Sequence, residues 1–267
     1  MIVSVSRRTD IPATKANWFY QQLGKTIKFY NPRIRQVEDI VMKPDKIDAF
    51  VFWTKNPEPM MWNINLLSDF VYYFQYTITP YMEDLEPATP DYQKSIATFC
   101  KLSDEIGKER VIWRYDPIIL SPKYNIDYHK QAFKDMCEQL DGKTDTCVFS
   151  FLDVYSRIKP AMKKFELRTP DADERESLVE FMASQAKKHN ITLKTCAERE
   201  SYAKFGVERG ACIDKVLIET LRKDTINAGK DITQRQYCGC CESIDIGKYN
   251  TCPNGCVYCY ANASKIK

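Results

Sequence analysis

Cysteine is concentrated in one stretch of the chain, residues 238–259, which holds six of the eleven cysteines. Three of them, Cys252, Cys256 and Cys259, are spaced C-x3-C-x2-C, with Tyr258 directly before the last. Thiolates are the ligands that zinc and iron–sulfur clusters prefer, and closely spaced cysteines can present several sulfurs to one metal centre. Because three thiolates leave one iron of a four-iron cluster without a protein ligand, the spacing predicts a [4Fe-4S] cluster that a small molecule can also bind.

The three earlier cysteines of this stretch could supply a fourth ligand, hold a second cluster or be spare. Cys240 and Cys241 are adjacent and cannot easily both reach one metal centre, so Cys238 and Cys240 are the expected ligands. In the zinc alternative, Cys238 and Cys240 join two of the three later cysteines in a closed four-thiolate site. Disulfides or free thiols are the remaining alternative. Cys196 and Cys212 fall at predicted strand ends. They could therefore lie at the site, but we do not expect them there.

The elements that must position these residues alternate along the chain. Strands are predicted at 2–5, 49–53, 70–78, 111–113, 147–151, 191–195 and 211–213, and helices from 13 to about 23, at 91–107, near 126–140 and at 171–188. Strands that alternate with helices indicate βαβ units and a parallel sheet. We therefore expect an α/β fold, a full or partial (β/α) TIM-type barrel, with an open doubly wound sheet as the alternative.

Charged side chains follow directly after several predicted strands, and they include Arg7, Arg8, Lys55, Arg114 and Asp116. In a barrel these positions converge on the carboxyl-end mouth, where such folds place their chemistry. Cations and carboxylates around one mouth suit a ligand that carries carboxylate, amine and phosphate or hydroxyl groups. The alternative for each residue is ordinary loop polarity.

The cysteine loop must also lie at this mouth, over residues 6–12, if a cluster is to act on a bound molecule. At least one of Arg7 and Arg8 is then expected to face the cavity, paired with Asp10 or Asp116 when no ligand is present. In the alternative interpretation, both arginines only neutralise buried acidic groups in the barrel wall.

The composition limits the remaining function classes. A net charge of +3 on 28% charged residues gives no support for nucleic-acid binding. No apolar run is long enough to span a bilayer, and the first residues have no basic leader, so a cytoplasmic protein with reduced cysteines is expected. We predict a barrel domain at 1–230 and a cysteine-rich tail at 231–267 that packs on it as one structural unit.

The cysteine loop resembles a known signature. Cys252-x3-Cys256-Val257-Tyr258-Cys259 is similar to the C-x3-C-x-aromatic-C motif of radical S-adenosylmethionine enzymes. The resemblance implies that the three cysteines hold a [4Fe-4S] cluster in a partial or full (β/α) barrel and that Tyr258 lies near the adenine of S-adenosylmethionine. It also implies one-electron cleavage of that molecule to a 5′-deoxyadenosyl radical. Those enzymes usually carry the loop after their first strand, so its position here implies an arrangement like a circular permutation.

The chain as a whole resembles a bacterial and archaeal family, domain of unknown function 1848, whose C-terminal cysteines are described as radical-enzyme-like. The matching segments are 6–13, 52–57, 114–117, 210–214 and the cysteine tail. Two hypotheses follow. In the first, the protein is a radical S-adenosylmethionine enzyme that takes electrons from a donor and acts on a small-molecule or peptide-derived substrate. Arg7, Arg8, Lys55, Arg114 and Asp116 would bind the substrate or the methionine group. In the second, it is a non-catalytic iron–sulfur or zinc protein with a sensing, electron-transfer or structural role.

Overall fold

The computed structural model describes residues 1–31 and 36–262, so the last five residues of the predicted tail, 263–267, lie outside it. The described residues form one large sheet, a separate hairpin and eight α-helices. The strands are β1 (Ile2–Val5), β2 (Thr26–Asn31), β3 (Gln36–Val41), β4 (Ala49–Thr54), β5 (Tyr72–Thr77), β6 (Val111–Ile118), β7 (Thr146–Phe151), β8 (Thr192–Thr195), β9 (Glu208–Arg209) and β10 (Ile244–Asp245). The helices are α1 (Ile11–Thr14), α2 (Ala16–Tyr20), α3 (Glu58–Met61), α4 (Tyr92–Ile106), α5 (Ile126–Gln139), α6 (Lys159–Lys164), α7 (Ala172–Lys188) and α8 (Lys215–Arg222).

The large sheet has eight strands in the order β10-β1-β4-β5-β6-β7-β8-β9, and neighbouring strands pair in parallel. The predicted α/β class is therefore confirmed. The sheet is not closed, because its edge strands β9 and β10 do not pair with each other within the described residues. From β1 to β9 the strand order follows the chain without a reversal, which differs from the doubly wound alternative.

The strands are apolar on both faces because both faces are covered. Phe50, Phe52 and Phe74 point to one face, where they pack with the helices in the larger core. Val51 and Tyr73 point to the other face, called the inner face below, which is covered by residues around Ile213 and by Cys238, Cys240 and Cys241 of the tail. Continuous apolar runs of this kind are typical of parallel strands buried on both sides.

The long helices begin where the sequence offers a capping side chain. Asp171 accepts a hydrogen bond from the backbone nitrogen of Glu174 at 2.9 Å, and the Glu174 carboxylate accepts one from the nitrogen of Asp171 at 3.0 Å. This reciprocal capping box fixes the start of α7. Asp91 and Asn125 cap α4 and α5 more simply, each through one side-chain acceptor without the reciprocal bond. None of the helices in the described ranges is long and apolar enough to cross a membrane.

The strand predicted at 211–213 is wrong. The pairing segment is Glu208–Arg209, and the chain turns after it. Gly210 permits the close approach at this point, because a Cβ there would lie 2.7 Å from the Thr195 carbonyl oxygen. The Cys212 carbonyl instead accepts hydrogen bonds from Tyr73 Oη at 2.7 Å and Gln75 Nε2 at 2.9 Å. Side chains on the inner face of the sheet thus hold this turn against it.

Candidate functional site

A cavity of about 400 Å³ lies at the carboxyl ends of the sheet strands. Its volume falls in the range of roughly 300–1,000 Å³ that small-molecule sites occupy. Every residue predicted for the site lines it: Arg7, Arg8, Lys55, Arg114, Asp116, Cys238, Cys240, Cys252, Cys256, Tyr258 and Cys259. The parallel sheet therefore brings both ends of the chain to one place.

The tail loop, residues 252–259, is held over the end of β1. Asn254 Nδ2 donates to Asp10 Oδ2 at 3.1 Å, and the backbone nitrogen of Val257 donates to the Leu85 carbonyl at 2.9 Å. Just before the loop, Thr9 Oγ1 donates to the Lys248 carbonyl at 2.6 Å. These contacts place the tail loop against residues 6–12, the arrangement expected from the sequence.

Cys252, Cys256 and Cys259 are all half-buried, are free of disulfides and line the cavity. Burial, followed by the negative charge of Glu86, raises the pKa of the Cys256 thiol well above its usual value. Burial also raises the pKa of Cys252, and Cys259 contributes to the shifts of both. The three sulfurs thus lie within electrostatic range of one another.

Asp10 joins the tail loop to two other parts of the site. Besides Asn254, its carboxylate accepts hydrogen bonds from the backbone nitrogens of Lys55 at 2.8 Å and Ala13 at 3.0 Å. Burial raises the pKa of Asp10, although these hydrogen bonds oppose the rise. Asp10 is thus a structural junction rather than the partner of an arginine.

Lys55 and Tyr258 meet at one buried carboxylate. Lys55 Nζ lies 2.9 Å from Glu86 Oε1 and 6.0 Å from the centre of the Tyr258 ring. The Tyr258 hydroxyl donates to the same Glu86 carboxylate. Burial, followed by the negative charge of Glu86, raises the pKa of Tyr258 well above its usual value, so this tyrosine stays protonated.

Arg114 is buried against the cavity wall. Its guanidinium pairs with Asp116, donates to Gln75 Oε1 at 3.2 Å and lies 5.0 Å from the centre of the Trp53 ring. Asp116 also accepts a hydrogen bond from Ser150. Burial opposes the charge of Arg114, but Asp116 together with Cys212 and Cys196 raises the pKa of the guanidinium well above its usual value.

The two arginines after β1 have different surroundings. Arg7 Nε lies 3.6 Å from the buried Asp245 Oδ2, so its partner is Asp245 and not the predicted Asp10 or Asp116. Arg7 therefore both lines the cavity and neutralises a buried acid, which combines the two alternatives. The Arg8 guanidinium lies 5.1 Å from the centre of the Tyr249 ring, and no carboxylate lies within 4 Å of it in the described parts of the chain. Arg8 is the cation at the cavity that is best placed to receive an anionic ligand.

Cys238 and Cys240 have a different set of neighbours from the tail loop. Cys240 interacts with Cys212 and Cys238, and Cys212 Sγ lies 3.4 Å from Cys196 Sγ. These four residues, in the order Cys196, Cys212, Cys240 and Cys238, form the inner thiol row. Cys196 and Cys212, which were not expected at the site, line the cavity too.

Glu86 and Asp245 are the acidic residues that sequence reasoning missed. Glu86 lies in a loop with no strand directly before it, and Asp245 lies in the two-residue strand β10, which the tail pattern does not indicate. They can be assigned to the site only from their ion pairs in the structure, Glu86 with Lys55 and Asp245 with Arg7.

Three thiols on one cavity are a suitable donor set for an iron–sulfur cluster, since iron–sulfur clusters are held by cysteine thiolates. Among the described residues, no three His, Cys, Asp or Glu side chains are already arranged around one metal position. The chemistry of the donors fits the cluster, and its coordination stays a prediction.

The fold and the site define an α/β protein whose cysteine-rich tail closes a cavity at the carboxyl end of a parallel sheet. The family model described as Domain of unknown function (DUF1848) matches residues 2–261, so the chain belongs to this family. No curated protein and no solved structure matches the chain. The resemblance to radical S-adenosylmethionine enzymes stays a prediction.

Proposed function

We propose that this protein is an iron–sulfur enzyme of the radical S-adenosylmethionine type, which acts on a small-molecule or peptide-derived substrate. The observation that carries the proposal is the position of the tail loop. Its three cysteines share one cavity with Arg7, Arg8, Lys55 and Arg114, although the two groups are far apart in the sequence. Such a cavity brings thiol ligands and anion-binding groups within reach of one bound molecule.

Cys252, Cys256 and Cys259 would hold a [4Fe-4S] cluster. When bound, such a cluster would supply single electrons for the cleavage of S-adenosylmethionine. Arg8 has no carboxylate partner in the described ranges and is placed to bind an anionic group of the ligand. The Tyr258 ring, oriented by the hydrogen bond to Glu86, offers a flat surface beside the tail loop.

We infer further that the open sheet acts as an incomplete (β/α) barrel. Residues from the segment 212–241 pack on its inner face. There Tyr73 Oη donates a hydrogen bond to the Cys212 carbonyl and accepts one from the Asp214 backbone nitrogen at 3.0 Å. The Cys241 nitrogen in turn donates to the Ile213 carbonyl at 3.1 Å. The tail thereby packs on the inner face of the sheet with Cys238, Cys240 and Cys241, and also covers the cavity with the tail loop.

A non-catalytic metal protein is the second candidate, and one observation favours it. Lys55, Arg114 and Arg7 each have a carboxylate partner, namely Glu86, Asp116 and Asp245. Cations that are already neutralised bind anionic ligands less strongly, so this arrangement suits a closed cluster or a structural zinc site that does not exchange ligands.

The deciding experiment is anaerobic purification and reconstitution with iron and sulfide, followed by reduction in the presence of S-adenosylmethionine. The enzyme proposal predicts 5′-deoxyadenosine by mass spectrometry and a change in the electron paramagnetic resonance spectrum of the reduced cluster when S-adenosylmethionine is added. The triple variant Cys252→Ala, Cys256→Ala, Cys259→Ala should lose both signals.

Cys100→Ala is the matched control, because Cys100 lies on α4 and its thiol contacts the Gln139 carbonyl, away from the cavity. This variant should form 5′-deoxyadenosine as the unaltered protein does. A reduced cluster whose spectrum ignores S-adenosylmethionine would instead support the non-catalytic candidate. Stoichiometric zinc without iron in the tail loop would exclude both iron–sulfur forms.

A further inference from the structure

The inner thiol row brings together cysteines from three segments, of which the first and last lie 44 residues apart in the sequence. Cys196 directly follows β8, Cys212 lies in the turn after β9, and Cys238 and Cys240 belong to the tail. Cys196 Sγ and Cys212 Sγ are 3.4 Å apart. Cys212 also interacts with Cys240, and Cys240 interacts with Cys238, so that each affects the pKa of its neighbour. Cys212, Cys238 and Cys240 are buried, at 2%, 8% and 2% exposure, which removes them from bulk solvent.

Two glycines allow the segments that carry these cysteines to approach. A Cβ at Gly210 would lie 2.7 Å from the Thr195 carbonyl oxygen, beside Cys196. A Cβ at Gly239, between Cys238 and Cys240, would lie 2.8 Å from the Gly210 carbonyl oxygen. Contacts this short exclude any side chain, so glycine at both positions is what lets the three backbones pack together.

Positive and N–H groups point at the sulfurs of the row. Arg114 Nη1 lies 2.8 Å from Cys212 Sγ, and the backbone nitrogen of Ile213 lies 3.3 Å from Cys240 Sγ. Arg235 Nη2 lies 4.0 Å from Cys196 Sγ. Hydrogen-bond donors and cations stabilise a thiolate over a thiol, and groups of this kind surround the ligands of metal sites.

We propose that the inner thiol row is a metal site, in which Cys196, Cys212, Cys238 and Cys240 bind one zinc ion independently of the tail loop. Tetrahedral zinc with sulfur at about 2.3 Å has sulfur atoms roughly 3.8 Å apart, close to the 3.4 Å between Cys196 and Cys212. An iron–sulfur cluster spreads its cysteines over several iron atoms and needs wider spacing. The four thiols are not already arranged around one metal position in the described part of the chain, so binding would have to draw the two ends of the row, Cys196 and Cys238, toward each other.

Such an ion would connect the edge of the sheet to the tail. Four thiolates and one Zn²⁺ carry a net charge of −2. The guanidinium groups of Arg114 and Arg235 lie beside the sulfurs, but they are also paired with Asp116 and Asp153, so they offset this charge only in part. The site would be structural, because its four positions are filled by protein ligands. It does not depend on the proposed enzyme activity, since none of its ligands belongs to the tail loop.

The test uses the full-length triple variant Cys252→Ala, Cys256→Ala, Cys259→Ala, which leaves the inner row as the candidate site. After removal of metal with a chelator, Co²⁺ is titrated in anaerobically, and the visible absorption of tetrahedral cobalt thiolate is followed. One equivalent should bind and be displaced by Zn²⁺. Adding Cys212→Ala or Cys196→Ala should weaken binding by about 100-fold or more, since even changes around the ligands cost about 10- to 100-fold.

Cys241→Ser is the matched control, because Cys241 is buried next to the row but its thiol contacts the Ile213 carbonyl. It should bind Co²⁺ with unchanged affinity. Circular dichroism checks folding, and if Cys212→Ala does not fold, the half-buried Cys196 carries the test. The absence of stoichiometric cobalt, equal affinity after loss of Cys196 or Cys212, or iron with sulfide in place of zinc would each overturn the proposal.

Discussion

The tail loop and the inner thiol row line the same cavity but are built differently. The tail loop takes three cysteines from eight consecutive residues and is attached to the loops after β1 and β5 through Asp10 and Leu85. The inner thiol row takes its cysteines from three segments and is part of the buried cluster on the inner face of the sheet. A loop of half-buried thiols suits a metal centre that exchanges a ligand, whereas buried thiols between packed segments suit a structural one.

The largest expected effects are on metal content, in variants that lose the cysteines of one group and keep those of the other. The triple change of Cys252, Cys256 and Cys259 to Ala should abolish iron binding, because it removes every ligand of the proposed cluster. The double change Cys212→Ala, Cys240→Ala should abolish zinc binding and leave the iron. Metal analysis after anaerobic reconstitution measures both, and Cys100→Ala is the control. Iron lost from the double variant would show that the two groups form one site. Iron kept by the triple variant would show that the tail loop does not hold it.

The free energy of unfolding should also depend on pH through Glu198, a buried carboxyl two residues from Cys196. Burial raises the pKa of Glu198 to about 7 from the ordinary 4.5, and its carboxylate accepts a hydrogen bond from the Phe151 nitrogen at 2.9 Å. Between these values the folded protein binds a proton that the unfolded chain does not. The free energy of unfolding should therefore fall by about 3 kcal/mol as pH rises from 4.5 to above 7.

Urea unfolding of the unaltered protein and Glu198→Gln between pH 5 and 8 checks this contribution. The variant keeps a neutral side chain, so its stability should fall less over this range. Glu200→Gln, an exposed change two residues away, should behave like the unaltered protein. Parallel pH profiles for Glu198→Gln and the unaltered protein would contradict the prediction.

Gly239→Ala should disturb the inner thiol row but not the tail loop. The added Cβ would lie 2.8 Å from the Gly210 carbonyl oxygen, so the two segments must separate, at a cost of about 1–3 kcal/mol in the free energy of unfolding. Gly229→Ala is the control, since its Cβ would lie 3.8 Å from the nearest atom. Urea unfolding measures the cost, and iron content should be unchanged. Equal stability of the two variants would mean that the close approach at Gly239 is not required.

The smallest effect is expected at the arginines after β1. Arg8→Gln should weaken the binding of S-adenosylmethionine about tenfold, the loss of one charge-assisted hydrogen bond, without a change in stability. Arg7→Gln should instead lower the free energy of unfolding by roughly 1–3 kcal/mol, because Asp245 would lose its buried cation. Calorimetric titration and urea unfolding of both variants separate the two roles. The same profile for both would refute the distinction.

The amino-acid sequence by itself determined the α/β class, the main strands and part of the set of residues that line the cavity. β1, β4 and β7 are short apolar runs bounded by polar residues, and α7 carries its own capping box, so local pattern and local geometry agree. The spacing of Cys252, Cys256 and Cys259 is likewise a local property that a reader of the sequence can see. Placing Arg7 and Lys55 at one mouth needs only the rule that parallel strands share their carboxyl ends.

Only the tertiary structure decided that the sheet stays open, that Asp245 is the partner of Arg7, and that Cys196 and Cys212 join Cys238 and Cys240. Each of these depends on contacts between residues far apart in the chain, and side-chain periodicity carries no information about such partners. Cys212 illustrates the reason. Its segment is apolar and β-branched enough to predict a strand, but the close approach at Gly210 and the hydrogen bonds from Tyr73 and Gln75 hold it as a turn, with its thiol against Arg114.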